Sequence, residues 1–146
     1  MQSQSDYVTT TEANEAVRQV RRYHQDQVRE FREACGDVVS YVPKLPNQAT
    51  LRLGAKLVQE EMQELIDAII DADAPEVLDA LGDILYLTYG LAVAAGYDLD
   101  EAFDRIHAAN MAKVGADGKV RRREDGKILK PDGWTPPDLT DLVTEK

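Results

Sequence analysis

A long apolar segment that carries two carboxylates constrains this chain more than any other feature. Between Val77 and Gly96 the only charged residues are Asp79 and Asp83. The segment is long enough to span a membrane, but two interior acidic residues without flanking Lys or Arg favour a buried core helix. Because an unpaired carboxylate is costly to bury, we expect a divalent cation near these two residues.

Helical periodicity and capping signals predict four helices and therefore an all-α bundle. Each predicted start carries a residue that can cap a helix or a proline suited to a first turn. The predicted helices are bounded by Thr9 and Gly36, by Asn47 or Thr50 and Ala72, by Pro75 and Gly96, and by Asp98 and Ala112.

The composition is that of one acidic domain spanning residues 1–146, with 43% hydrophobic residues. The 17 Lys and Arg against 27 Asp and Glu give a formal charge of −10. This charge argues against a nucleic-acid or anionic-membrane partner, since both require a cationic surface. The single Cys35 and a start without a signal-peptide pattern indicate a cytoplasmic location.

The two ends of the chain are expected to lie outside the helices. Residues 1–10 are predicted to be a tail, and residues 115–146 a basic arm and tail. Within the arm, Asp125-Gly126 lies between two short runs rich in Lys and Arg and predicts a hairpin turn. Four helices of this length often complete their core by association, so we expect a homodimer or homotetramer.

Three glutamates on the second predicted helix stand close to its apolar stripe. At about 100° per residue, Glu61 falls inside the stripe, Glu64 borders it, and Glu60 lies one step further out. An ordinary Glu-rich helix surface explains such a group equally simply. The alternative for Asp83 on the third helix is a buried carboxylate bonded to a hydroxyl, such as that of a tyrosine.

Antiparallel packing of the second and third helices would bring three to five of these carboxylates together. A set of oxygen ligands suits Mg²⁺, with Mn²⁺ as a substitute. Mg²⁺ in proteins usually works through a few carboxylates, waters and the phosphates of a substrate. The sequence therefore predicts a magnesium site at these carboxylates.

These residues make the sequence resemble the MazG-like all-α nucleoside triphosphate pyrophosphohydrolases, a superfamily that includes dimeric dUTPases and phosphoribosyl-ATP pyrophosphohydrolase. The signature of the superfamily is E-E-x-x-E followed by E-x-x-D. Here residues 60–64 supply the first half, and Asp83 ends the second half. Ala80 stands where the second half has Glu, so either Asp79 replaces that ligand or the metal has one carboxylate fewer. The resemblance covers about residues 28–142 and extends to stretches 79–86, 107–113 and 125–130, the last before Trp134.

The resemblance implies Mg²⁺-dependent hydrolysis of a nucleoside triphosphate to the monophosphate and pyrophosphate. It makes Glu61, Glu64 and Asp83 metal ligands, with Asp79 as a further ligand. It makes Glu60 a ligand or the general base, so that Glu60 and Glu61 are the catalytic candidates.

A second group of residues is assigned to substrate binding. Asn110 and Lys113 match a phosphate- and sugar-contacting pair of the family, although a buried Asn that ties helices together is the alternative. The lysines of the hairpin could reach a polyphosphate or be solvated, and Phe31 could stack on a base or pack in the core. The assigned residues are Tyr86, Asn110, Lys113, Lys127, Lys130 and Trp134.

The identity of the substrate stays open within this class. The candidates are dUTP or another non-standard nucleotide, a standard deoxynucleotide such as dGTP or dCTP, and phosphoribosyl-ATP. The competing class is a non-catalytic acidic helical module that binds a partner. A module of that kind would gain no thermal stability from Mn²⁺, whereas a metal site would.

Overall fold

The fold was obtained as a computed structural model, which describes residues 23–144. It contains helices α1 (Tyr23–Cys35), α2 (Gln48–Asp71), α3 (Ala74–Ala95) and α4 (Leu99–Met111), with a short 3₁₀ turn at Thr140–Leu142. No β-strand occurs in this range, so the all-α prediction is confirmed. The predicted start of the first helix at Thr9 lies outside the described residues.

Short polar side chains cap three of the helices at the predicted places. Asn47, rather than Thr50, caps α2, and its Oδ1 accepts a hydrogen bond of 2.9 Å from the Thr50 N–H. Asp73 and Asp98 cap α3 and α4 in the same way. Each cap satisfies a backbone donor that the first helical turn leaves unpaired. Local chemistry therefore fixes where these helices begin.

Helices α2 and α3 form an antiparallel hairpin joined by Ala72 and Asp73. They approach closely at Gly54, where an added Cβ would lie 2.9 Å from Leu91 Cγ. Helix α1 packs on α3 near the same level, where Val28 and Gly90 meet. Glycine at both contact points lets the helices come near one another.

The core is small and lies at the C-terminal end of α3. Val93 and its neighbours Ala92, Ala94 and Ala95 are buried, whereas Leu78 near the start of α3 is 72% exposed. The expectation that the whole apolar segment is buried is therefore wrong for the single chain, because α1 covers only its second half. Among the described residues α3 alone has the length and composition to cross a membrane, and helices inside a bundle meet the same criterion.

Helix α4 is attached to the bundle at its N-terminal end. Gln25 on α1 bridges to it, donating to the Tyr97 carbonyl at 2.8 Å and accepting from the Leu99 N–H at 3.2 Å. The Tyr89 hydroxyl on α3 donates to Asp100 at 2.9 Å. Burial, together with this hydrogen bond, raises the pKa of Tyr89 to about 12.

The C-terminal segment lies along α4 and contains the predicted turn. Arg105 of α4 bonds to the Asp138 carbonyl and to the Asp141 carboxylate. Upstream, Gly126 adopts a φ of 83°, and the Arg123 N–H donates to the Lys127 carbonyl at 2.9 Å. The hairpin at Asp125-Gly126 is therefore present.

Candidate active site

The glutamates of α2 differ in their surroundings. Glu61 is half-buried and shares the face of Gly54 and Leu57 that packs on α3. Glu60 and Glu64 are exposed, and Glu60 pairs with Lys56 at 3.1 Å. Of the three, Glu61 is thus the one held against the neighbouring helix, as its place in the apolar stripe predicts.

The acidic residues of α3 are more exposed than the sequence suggests. Asp79 and Asp83 are both exposed, so the prediction that they are buried is wrong for the single chain. They lie on the half of α3 that α1 does not reach. Asp83 makes no hydrogen bond or ion pair with another described residue, so its alternative as a partner of a tyrosine hydroxyl is also wrong.

The register of the hairpin brings the two acidic sets together. Gly54 faces Leu91, so Glu61, seven residues further along α2, lies opposite Ile84, seven residues back along α3. Asp83 is the next residue. The antiparallel arrangement thus aligns the middle of the acidic stretch of α2 with the acidic half of α3.

The pKa of Glu61 is raised, and these neighbouring carboxylates contribute to the increase. Burial raises the pKa of Glu61 above its ordinary value, and four like charges raise it further. In order of decreasing effect these are Glu64, Asp83, Asp79 and Glu60. A carboxylate that other carboxylates disfavour in this way is stabilised by a cation.

These residues fit a magnesium ion by chemistry, because all five supply oxygen ligands. Between residues 23 and 144, no three acidic, His or Cys side chains are oriented to hold one ion as they stand. The side chains of Glu61, Glu64 and Asp83 would need other rotamers to share one ion. Glu64 and Asp83, which are exposed, have room to change rotamer.

Ala80 and Asp79, the two positions in question at the start of the second motif, differ in burial. Ala80, which stands where the family has Glu, is buried at 4% exposure. Asp79 is exposed and lies about 100° away around the helix. The two positions therefore point in different directions, and Asp79 approaches Glu61 from another side of α3.

A cavity of about 290 Å³ lies between α1, α2 and α3. Its lining includes Leu57 and Tyr86, which lie one helical turn from Glu61 and Asp83 respectively. Phe31 of α1 meets Tyr86 edge-on, with ring centroids 6.1 Å apart. One turn corresponds to about 5 Å along a helix, so the lining of the cavity comes within about one turn of the carboxylates on both helices.

The predicted substrate-binding residues of α4 and the C-terminal segment form a second cluster. Lys113 Nζ donates to Asn110 Oδ1 at 2.7 Å and lies 5.1 Å from the Trp134 ring centroid. Lys130 Nζ lies 4.5 Å from the same ring. The Trp134 indole N–H donates to the Ala109 carbonyl at 2.7 Å. Two amines therefore share one aromatic ring.

Not every predicted residue joins this cluster. No contact of the Lys127 side chain with it occurs within the described part of the chain. Asn110 is exposed, so its alternative as a buried tie between helices is wrong. Among the described residues no hydrogen bond, ion pair or ring contact links this cluster to the carboxylates of α2 and α3. Each group is assembled separately.

Sequence patterns did not single out Arg32 and Asp37, which line the cavity. Their neighbour Gly90 offered a signal. A glycine inside an apolar helix often marks the close approach of another group, and here an added Cβ would lie 3.5 Å from Arg32 Nη1.

The sequence of this chain matches a known protein family. Residues 28–110 match the family model described as phosphoribosyl-ATP pyrophosphohydrolase. The matched range contains the carboxylates and the cavity and ends at Asn110. An uncharacterized protein of Acanthamoeba polyphaga mimivirus is 44% identical over 54 residues, which are 37% of this chain. The aligned residues span 22% of the length of that viral protein.

Proposed function

We propose that this chain, which belongs to the phosphoribosyl-ATP pyrophosphohydrolase family, hydrolyses a deoxynucleoside triphosphate to the monophosphate and pyrophosphate. The observation that carries the proposal is Glu61, which the antiparallel packing of α2 and α3 places near Asp83 and whose pKa is raised by burial and by four neighbouring carboxylates. A group of like charges that the fold holds together stores repulsion, and a divalent cation with its anionic substrate relieves it.

Glu61, Glu64, Asp79 and Asp83 would hold Mg²⁺, or Mn²⁺ in its place. Bound there, the metal would neutralise the triphosphate and favour attack of water on the α-phosphorus. Glu60 is either a further ligand or the group that takes the proton of the attacking water. The Lys56 ammonium, 3.1 Å from Glu60, keeps that side chain near the surface of α2.

The polyphosphate is proposed to contact the cationic cluster of α4 and the C-terminal segment. Lys113 and Lys130 supply two amines, and Asn110 orients the first of them. Trp134 holds the amines near each other, and Lys127 lies close by in sequence. Tyr86, which lines the cavity beside Asp83, borders the rest of the nucleotide.

Phosphoribosyl-ATP is the second candidate substrate, because the matching family model carries that activity in its description. Both candidate substrates carry a polyphosphate linked to a nucleoside, and the same phosphoanhydride bond is broken in both. A panel that includes phosphoribosyl-ATP beside the deoxynucleoside triphosphates separates them.

The deciding experiment measures pyrophosphate release from that panel with Mg²⁺. Glu61→Gln and Asp83→Asn are expected to lower kcat/KM by about a hundred-fold or more, since each removes a metal ligand. Asp67→Asn is the matched control, because Asp67 also lies exposed on α2 but pairs with Gln63 and not with the acidic group. Wild-type rates in both site variants would overturn the proposal.

A metal-only measurement tests the competing non-catalytic function. Mn²⁺ is expected to raise the melting temperature of the wild type and of Asp67→Asn, and to act less on Glu61→Gln. Absence of any Mn²⁺ effect on the wild type would favour a helical interaction module instead.

We also propose that the protein is a cytoplasmic homodimer or homotetramer. Helix α2 exposes Ile66, Ile69 and Ile70, and α3 exposes Leu81 and Leu85. Several large apolar side chains exposed on packed neighbouring helices are typical of an interface between subunits. Analytical ultracentrifugation tests the proposal, and a monomer at micromolar concentration would contradict it.

A further inference from the structure

The Arg32 side chain lines the cavity beside Gly90 of α3. The Arg32 side chain is 20% exposed, and its Nε donates to the Val38 carbonyl at 3.0 Å. Gly90 makes room for it, because an added Cβ there would lie 3.5 Å from Arg32 Nη1. Arg32 thus lines the cavity with its Nε held by the Val38 carbonyl, and Nη1 and Nη2 are the other two nitrogens of its guanidinium.

These two nitrogens donate no hydrogen bond to another described residue. The nearest carboxylate oxygen, Asp37 Oδ2, is 3.9 Å from Nη1, which is too long for a hydrogen bond. Asp37 also lines the cavity, and its side chain is 55% exposed. The cavity lining thus carries the N–H donors of a guanidinium and a carboxylate acceptor beside them.

The rest of the cavity suits a flat aromatic ring. Its volume of about 290 Å³ exceeds the roughly 150 Å³ that suffices for benzene in an engineered apolar cavity. Phe31, Leu57 and Tyr86 supply apolar and aromatic walls. Because Tyr86 and Leu57 lie one helical turn from the carboxylates, a base in the cavity places its phosphates towards them.

We propose that the cavity binds the nucleobase and that Arg32 and Asp37 select bases whose edge presents two adjacent acceptors followed by a donor. This inference rests on the proposed function. Guanine presents that order as N7, O6 and N1–H, and cytosine presents it as O2, N3 and N4–H₂. On adenine, thymine and uracil, acceptors and donors alternate. Arginine pairs with two neighbouring acceptors through its fork of donors, and a carboxylate accepts from the donor next to them.

The test compares kcat/KM for pyrophosphate release across dGTP, dCTP, dATP, dTTP and dUTP. For the wild type we expect dGTP, dCTP or both to exceed the other three by about ten-fold or more. The separate dGTP and dCTP measurements decide which of the two bases is the source. Equal values for all five nucleotides, or a preference for dATP, dTTP or dUTP, would overturn the inference while leaving the hydrolase intact.

Arg32→Lys keeps the charge but removes the fork of donors, and it is expected to abolish most of this preference. Arg29→Lys is the matched control, because Arg29 lies one turn earlier on α1, bonds to the Ser40 carbonyl and does not line the cavity. Asp37→Asn, which keeps its shape, should also weaken the preference. An unchanged ratio in both cavity variants would count against the inference.

A binding measurement keeps the inference testable if the wild type hydrolyses no nucleotide and the proposed function fails. Calorimetry with dGMP, dCMP and dAMP then reports the cavity alone. Tighter binding of dGMP or dCMP than of dAMP, lost in Arg32→Lys, supports base selection. Equal binding of the three, or none, overturns it.

Discussion

Replacing Gly96 by alanine is expected to destabilise the fold more than the same change at Gly36. Both glycines follow a helix in the left-handed region, with φ values of 67° and 71°. A Cβ at Gly36 would meet nothing within 4 Å, whereas one at Gly96 would lie 2.7 Å from the Val42 carbonyl carbon. Gly36→Ala therefore measures the free-energy cost of the left-handed backbone conformation alone, whereas Gly96→Ala adds the cost of the contact with Val42.

The expected magnitudes follow from these two terms. A side chain in the left-handed region costs about 1 kcal/mol, which is all that Gly36→Ala should lose. The Val42 atoms are backbone, so no rotamer change relieves the contact at Gly96. Overpacking of this kind adds about 1–3 kcal/mol. At about 3 °C per kcal/mol for a chain of this size, Gly96→Ala should melt about 3–9 °C below Gly36→Ala.

Thermal unfolding followed by circular dichroism measures the difference, and urea unfolding gives the free energies. Two hydrogen bonds hold the segment next to Gly96 against α3: Ser40 N–H to the Val93 carbonyl at 3.0 Å and Lys44 N–H to the Ala95 carbonyl at 2.8 Å. Amide exchange at Ser40 and Lys44 should therefore quicken in Gly96→Ala alone. Melting temperatures of the two variants within a degree of each other would refute the reasoning.

Three further outcomes are expected. Glu61→Gln should raise the melting temperature without divalent cations, because burial and neighbouring carboxylates raise the pKa of Glu61. The stabilising contribution linked to Glu61 is complete below the pKa of Glu61 in the unfolded state and is lost as pH rises through its higher pKa in the folded state. The wild type should therefore lose more stability than the variant across this pH range; parallel pH profiles would contradict this. Arg105→Ala should speed amide exchange around Asp141, which it holds by a two-nitrogen contact; unchanged exchange would mean that other contacts hold this segment. Lys113→Ala and Lys130→Ala should each raise KM about ten-fold with a smaller effect on kcat, as expected for amines that bind phosphate. An unchanged KM in both would limit these amines to packing on the indole.

Features that depend on neighbours in sequence were predictable, and the helix starts are the clearest case. Asn47 and Asp98 cap their helices through side-chain contacts to residues three positions on. These contacts need no partner from elsewhere in the fold. The position of Glu61 against α3 was predictable for a similar reason, since the periodicity of one helix fixes which side chains share its packed face.

Features that depend on which helix faces find a partner were not predictable in the same way. Asp79 and Asp83 lie in an apolar segment, yet both are exposed because α1 covers only the far half of α3. The cavity needs three helices to form, so no single stretch of sequence encodes it. Arg32 lines the cavity beside Gly90, a residue of another helix whose missing side chain leaves space for the guanidinium.

The two ends of α3 differ in burial and should therefore differ in how readily they open locally. The amides around Val93 should exchange only when the whole domain unfolds, whereas those near Leu78 should exchange through local opening. Asp79 and Asp83 therefore lie on the loosely held end of a firmly anchored helix. Any ligand that draws the carboxylates together must also order that end, and part of its binding energy goes into this. The acidic end of α3 can then change conformation when a ligand binds, while the buried alanine-rich end keeps the helices packed.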